Sequence, residues 1–163
     1  MKITCHSEPA KNTASSASLR LDDQLCFALY AATNVITRAY RAPLARLGLT
    51  YPQYLAMLVL WEHGEQTVKS LADRLDLDSS TITPLVKRLA AAGLVHSARD
   101  PANQRNLCIQ LSRAGRAMQA QAARIQERVA CQTHLRPDEF VALRAQLHRL
   151  VTEINQPGVD GLR

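Results

Sequence analysis

The stretch from Thr67 to Leu111, TVKSLADRLDLDSSTITPLVKRLAAAGLVHSARDPANQRNLCIQL, leaves the chain few ways to fold. Thr67 can cap a helix that buries Leu71 and Leu75, and the polar turn from Asp76 to Ser79 ends it. Beyond the turn, Ile82, Leu85, Val86 and Leu89 recur at the spacing of one helical face. Gly93 closes that second helix, as a residue tolerant of left-handed backbone should. Short strands are predicted at Leu94 to Arg99 and Asn106 to Leu111, around a polar tip that contains Arg105. Alternation turns Leu107, Ile109 and Leu111 inward and leaves Cys108 and Gln110 outward. Helix, turn, helix and hairpin in this order describe a winged helix-turn-helix. The commonest use of that shape is to set its second helix in the major groove of duplex DNA.

Assigning the core leaves a polar face on the second helix. The short groups Ser79, Ser80, Thr81, Thr83 and Pro84 near its start can approach base edges, while Lys87 and Arg88 can reach phosphates or guanine. Arg105 at the wing tip is placed for an adjacent minor groove, and Arg99 at the wing base for the backbone. The competing reading of these cations is a solvated surface. Their clustering on the face that the core leaves over favours DNA. Pro84 fits best if the helix starts at about Ser80 or Thr81, so that its missing N–H falls in the first turn. The formal net charge of +6 is compatible with a polyanionic partner without requiring one.

Helices flank this segment. Leu21, Leu25, Ala28, Leu29, Ala32 and Ile36 form a stripe from Leu21 to about Arg41, after which Pro43 and Gly48 punctuate a short helical linker. Thr50 can cap the next helix, with Pro52 in its first turn, and Gly64 closes it. Ser112 caps a long Ala- and Arg-rich helix to about Thr133. Pro137 opens the last, where Phe140, Leu143, Leu147, Leu150 and Ile154 form a seam at 3-4-3-4 spacing. So narrow a seam suits helix-on-helix packing, and a second copy is its simplest partner. A symmetric homodimer would set two reading helices about one duplex turn apart and favour a palindromic operator in double-stranded DNA.

The expected fold is therefore mainly α with a small β-wing: a winged helix-turn-helix dimerised through its N- and C-terminal helices. Residues 1–20 read as a disordered arm, 21–155 as a single domain and 156–163 as a frayed tail. Within the domain, about 50–111 form the DNA-binding lobe, and about 21–48 and 112–155 the dimerisation helices.

The 163 residues, 47% hydrophobic and 21% charged, fit one ordinary soluble domain. The longest apolar run, around Leu55 to Trp61, is far short of the roughly 20 residues that a membrane span needs. The N-terminal arm lacks the apolar centre of a secretory signal, which points to the cytoplasm, where structural disulfides are rare. Cys5, Cys26, Cys108 and Cys131 are scattered, with no C-x-x-C pair and no histidine at ligand spacing, so neither metal nor cofactor is expected.

Cys26 lies beside the apolar stripe of the first helix, with Tyr30 one turn along the same side. Its bland reading is a small buried thiol filling a core gap. A reactive thiol needs a stabilised thiolate, with donors such as tyrosine hydroxyls, and spacing alone does not place them. The chain's tyrosines, Tyr30, Tyr40, Tyr51 and Tyr54, all fall between the first helix and the start of the next.

From about Leu21 to Gly115 the chain resembles the organic hydroperoxide regulators of the MarR family, most closely in LCFALY, LTYPQYLAMLVLWE and LDSSTITPLVKRL. The resemblance implies that Cys26 of LCFALY is the peroxide sensor. It also implies that Tyr40 and Tyr51, from the partner subunit, hydrogen-bond the reactive sulfur, with Tyr30 nearby. Members of the family carry one working cysteine or two, and Cys131 stands where a second, resolving cysteine would. Cys5 and Cys108 match nothing functional. The chain departs from the family pattern at Asp76, where tyrosine is usual, and at Asn103-Gln104-Arg105, where Asp-x-Arg is usual. Asn103 can accept a hydrogen bond but cannot form a charged pair with an arginine.

The expected function is a homodimeric repressor, not an enzyme, that leaves its operator when an organic hydroperoxide oxidises Cys26. One alternative keeps DNA binding but uses a small phenolic ligand as the signal. The other is a thiol peroxidase, against which the winged-helix segment argues.

Overall fold

Thr50, Thr67 and Ser112 each stand where extended backbone turns into helix, and the caps they make set most of the architecture. The computed structural model describes residues 19–99 and 107–155. Contacts divide the chain into two units, Met1–Val35 and Ile36–Arg163. The expected wing-tip residue Arg105, its neighbours Asn103 and Gln104, residues 1–18 of the N-terminal arm including Cys5, and the tail from Gln156 lie outside the described residues.

In the first unit a 3-10 turn, Leu21–Asp23, precedes helix α1, Leu25–Ala45, which runs on into the second unit. The apolar positions Leu21, Leu25, Tyr30 and Val35 are exposed, and Phe27 and Leu29 are half-buried.

In the second unit α1 continues past Arg41 and through Pro43 to Ala45, longer than expected. Proline removes one ladder hydrogen bond, but Leu44, fully buried directly after it, anchors the last turn. Gly48, at φ 68°, reverses the chain. Helix α2, Tyr51–His63, then starts at Thr50, where the buried Gln53 Oε1 accepts from the Thr50 N–H at 2.8 Å and from the Thr50 hydroxyl at 3.0 Å. Helix α3, Val68–Leu75, is capped by the Thr67 hydroxyl, which accepts from Ser70 N at 3.0 Å. Asp76, left-handed at φ 52°, begins the turn to α4, Ser79–Ala91.

Pro84 is the sixth residue of α4, not a first-turn residue as expected. It sits on the exposed face, so the Ser80 carbonyl that loses a partner can be hydrated, and the Thr83 hydroxyl donates to the Ser79 carbonyl at 2.9 Å.

The wing strands β2, Val95–Arg99, and β3, Leu107–Leu111, pair antiparallel from Val95 opposite Leu111 to Arg99 opposite Leu107. A third strand that periodicity did not reveal, β1, Gln66–Thr67, pairs with β3 through Ile109 and Cys108, giving the order β1-β3-β2. With β3 central, the small thiol of Cys108 sits between Thr67 and Ala98 and is buried, while Leu107 at the strand end is exposed. The burial of both residues is thus the opposite of that expected.

The long helix expected after Ser112 is broken at Met118 into α5, Arg113–Ala117, and α6, Gln119–Cys131. The break coincides with a side chain entering the ladder. Trp61 Nε1 donates at 2.9 Å to the Gly115 carbonyl, the acceptor that Gln119 would use in an unbroken helix. Helix α7, Pro137–Ile154, has no buried residue, so its seam lies open. The core joins Leu44 of α1, Tyr54, Met57 and Leu60 of α2, and Leu71, Ile82, Leu89 and Ile109, with Ala122, Ile125 and Val129 of α6 closing it. Among the described residues no helix is long and apolar enough to cross a membrane.

Helix α5 lies against the corner between α4 and β2 so closely that a Cβ on Gly115 would run into the Leu94 carbonyl oxygen, which is backbone. Gly115→Ala should therefore destabilise the fold by about 1–3 kcal/mol despite alanine's higher helix propensity. Urea unfolding checks this, and an unchanged or higher midpoint would show that the corner yields.

Candidate nucleic-acid interface and redox site

The two faces of α4 separate as its spacing predicts. Ile82, Leu85, Val86 and Leu89 are buried, and Ser79, Ser80, Thr81, Thr83, Pro84, Lys87 and Arg88 are all exposed. The exposed side runs from short polar groups at the N-terminal end to cations one or two turns on. Because the Thr83 hydroxyl donates to Ser79, it presents an acceptor lone pair and a methyl group to whatever approaches. Arg99 stands at the outer end of the described wing ladder, opposite Leu107, and is exposed. The polar side of α4 and the wing base thus offer a surface of duplex-reading shape.

The redox candidates are distributed over both units. Cys26 lies in the first turn of α1 and is exposed, which sets aside the reading of a buried thiol filling a core gap. Tyr30, one turn later on the same helix face, is also exposed. In the second unit Cys131 is exposed at the last residue of α6. The corner that follows contains His134 in left-handed backbone at φ 55°.

Tyr40 of α1 and Tyr51 of α2 come together, their ring centroids 5.2 Å apart at 48°. Tyr40 is buried and Tyr51 half-buried. Burial pushes both phenols above their ordinary range, and for Tyr40 the neighbouring Tyr51 adds to the effect. Both groups therefore remain protonated, able to donate, at neutral pH. Tyr40 also lines a cavity of about 400 Å³ between α1, α6 and α7, whose other walls include Ile36, Ala123, Val129, Ala130 and Phe140.

A third ring completes this cluster. Tyr54 lies 5.5 Å from Tyr40 and 6.2 Å from Tyr51, with Trp61 in an edge-on contact at 6.4 Å. Sequence reasoning counted Tyr54 and gave it no role. The available signal was its i, i+3 spacing from Tyr51, which sets both on one side of α2.

A mainly helical chain whose helix-turn-helix leads into a small antiparallel sheet is a winged-helix protein. The MarR family model matches residues 49–107. The regulator TtmR of Methylorubrum extorquens is 45% identical over 150 residues, covering 88% of this chain and 77% of that one. The organic hydroperoxide resistance transcriptional regulator of Bacillus subtilis is 36% identical over 138 residues, covering 85% and 94%. Among solved structures, overoxidized AbfR bound to DNA is similar at TM-score 0.69 and 34% identity, covering 82% of this chain and 94% of that one. AbfR is a protein of Staphylococcus epidermidis. Its disulfide-formed structure is similar at TM-score 0.61 and 32% identity, covering 82% and 91%. The chain belongs to the MarR family. It is a transcriptional regulator, as these relatives are named, and not an enzyme.

Tyr40, Tyr51 and Tyr54 have folded-state pKa values above the ordinary 10.0 that the unfolded chain would show. The folded state therefore holds these protons more tightly. That contribution to stability is fully present below about pH 10 and is lost as pH rises through the folded values. Melting temperature should hold up to about pH 10 and fall as pH rises beyond it, less steeply in Tyr54→Phe. Superimposable profiles would exclude Tyr54 from the alkaline transition.

Proposed function

We infer that this MarR-family chain is a redox-sensing DNA-binding repressor, released from its operator when an organic hydroperoxide oxidises Cys26. The observation that carries it is the exposed thiol of Cys26 in a chain 36% identical to an organic hydroperoxide regulator, with Tyr51 packed against Tyr40 and Tyr40 at the wall of a mainly apolar cavity.

The working unit is a cytoplasmic homodimer. The open seam of α7 supports this, because Phe140, Leu143, Leu147 and Ile154 expose apolar surface at helix-packing spacing. In the dimer the hydroxyls of Tyr40 and Tyr51 donate to the Cys26 thiolate of the partner subunit, with Tyr30 close by. Charge-assisted hydrogen bonds of this kind favour the thiolate over the thiol. The apolar cavity beside Tyr40 suits the hydrocarbon part of an organic hydroperoxide better than hydrogen peroxide.

Two α4 helices related by the dimer axis enter successive major grooves of a palindromic operator. There Ser79, Ser80, Thr81, Thr83 and Pro84 face base edges, and Lys87 and Arg88 face phosphates or guanine. Arg99 meets the backbone at the wing base, and Arg105 serves the minor groove.

The thiolate attacks the terminal hydroperoxide oxygen and the O–O bond breaks. The alkoxide leaves and takes a proton to become an alcohol, while the sulfur becomes a sulfenic acid. The Cys131 thiolate of the other subunit then attacks that sulfur, forming the S–S bond and releasing hydroxide, which is protonated to water. The two electrons that the paired thiols lose are those that reduced the peroxide. A disulfide needs Cα atoms within about 4.4–6.8 Å, so forming it constrains helix positions and with them the spacing of the reading helices.

Gel shifts on the upstream intergenic DNA test the sensor. The reduced protein should bind, cumene hydroperoxide should release it and dithiothreitol should restore binding, whereas Cys26→Ser should stay bound throughout. Release of the Cys26→Ser protein by peroxide would rule out the thiol mechanism. Non-reducing electrophoresis tests the second cysteine. Peroxide should give a covalent dimer that Cys131→Ala abolishes, and a covalent dimer that survives this change would assign the resolving role elsewhere.

A further inference from the structure

The tyrosine cluster contains a buried group that the redox chemistry above does not use. Tyr54 is 2% exposed, and among the described residues its hydroxyl alone is a buried side-chain polar atom without a hydrogen-bond partner. Such groups are rare in folded proteins, because burial strips the oxygen of water and nothing replaces it. Packing does not account for the hydroxyl, since phenylalanine would keep the ring contacts to Tyr40, Tyr51 and Trp61 without the penalty. Burial, first, and the neighbouring Tyr40 and Tyr51 hold the phenol well above its ordinary range, so it stays a donor. Of its two tyrosine neighbours Tyr40 is the nearer, at 5.5 Å against 6.2 Å between ring centroids. Tyr40 lines the apolar cavity and Tyr54 does not.

We propose that Tyr54 is a positioning residue for the peroxide-sensing thiol, its buried hydroxyl donating to the Tyr40 oxygen while Tyr40 donates to the Cys26 thiolate of the partner subunit. This rests on the function inferred above. A hydroxyl that accepts one hydrogen bond becomes a better donor in the next, so the two phenols act in series. The arrangement also fixes which way Tyr40 points, because its oxygen must face Tyr54 and its proton must face away. Tyr54 never meets the thiolate and acts only through Tyr40. An unpaired hydroxyl in the isolated chain is then a donor held ready for the state in which Tyr40 carries its load.

The test uses the full-length reduced protein with cumene hydroperoxide. Tyr54→Phe should slow Cys26 oxidation about two- to tenfold, the range one hydrogen bond supports. It should also move the pH midpoint of Cys26 alkylation, followed by peptide mass spectrometry, upward, while reduced-state operator affinity stays unchanged. Added to Tyr40→Phe, it should do nothing further. Replacing Tyr54 with 3-fluorotyrosine, a more acidic phenol of nearly the same shape, should move the midpoint downward, a change that loss of folding cannot imitate. A wild-type rate and midpoint in Tyr54→Phe would overturn the relay, as would a further loss on top of Tyr40→Phe. Cys26→Ser separates the two levels. If that variant still leaves DNA on peroxide treatment, the thiol mechanism fails and the relay with it. If it does not, the tyrosine variants judge the relay alone.

Discussion

One serine hydroxyl joins the segment that would read DNA to the helices that would carry the signal. Ser112 Oγ accepts from the Gly115 N–H at 3.0 Å and donates to the Gly93 carbonyl at 2.7 Å, while the Ser112 N–H donates to the Leu94 carbonyl at 2.9 Å. Ser112 is buried, so each of these bonds replaces hydration that the group has lost. Gly93, left-handed at φ 71°, turns α4 out toward β2 at this point. Trp61 Nε1 ties α2 to the same spot through the Gly115 carbonyl. The end of α4, the start of the wing, the start of α5 and the outer end of α2 are thus held at one corner, with no room for a methyl group on Gly115. The orientation of the exposed α4 face follows from it.

What was legible in the sequence was local. Thr50, Thr67 and Ser112 announce helix starts because a cap is made within three residues, and Ile82, Leu85, Val86 and Leu89 divide α4 by period alone. The features that were missed depend on distant residues. Pro84 was expected within a first turn, yet the face it occupies further along α4 is open to water. Strand β1 has only two residues, too short for any alternation, and exists because Ile109 and Cys108 pair with it. The break at Met118 follows from an indole more than fifty positions earlier, at Trp61. Cys108 was placed outward by alternation, but a central strand has neighbours on both sides, and a small side chain disappears between them.

The candidate redox site was legible in a different way. Spacing put Cys26 and Tyr30 on one helix face, but no periodicity brings Tyr40 to Tyr51, because Gly48 reverses the chain between them. Family resemblance supplied that pair, and the structure gives its geometry, 5.2 Å between ring centroids. Resemblance gave Tyr54 no role, and its spacing marked only a side of α2 shared with Tyr51. Its distinction is energetic, a donor buried without an acceptor, and such a property exists only once the surrounding rings are in place.

The corner at Ser112 also limits how a signal at Cys131 could reach DNA. Helix α6 has 13 residues, about 20 Å of helix at 1.5 Å per residue, with Cys131 at the end remote from the corner. At that end His134 sits in left-handed backbone, and α7 buries nothing in the isolated chain. At the other end α5 meets the Leu94 backbone with no space to spare. A pull on Cys131 would therefore be taken up by the exposed α6–α7 corner or passed along α6 as a tilt, and a tilt reaching the Gly115 contact has no void in which to dissipate. Close-packed contacts of this kind answer by moving the neighbouring element as a body. Release from DNA would then come from reorienting intact α4 helices, so the oxidised protein would keep its helix content while losing the geometry that duplex DNA demands.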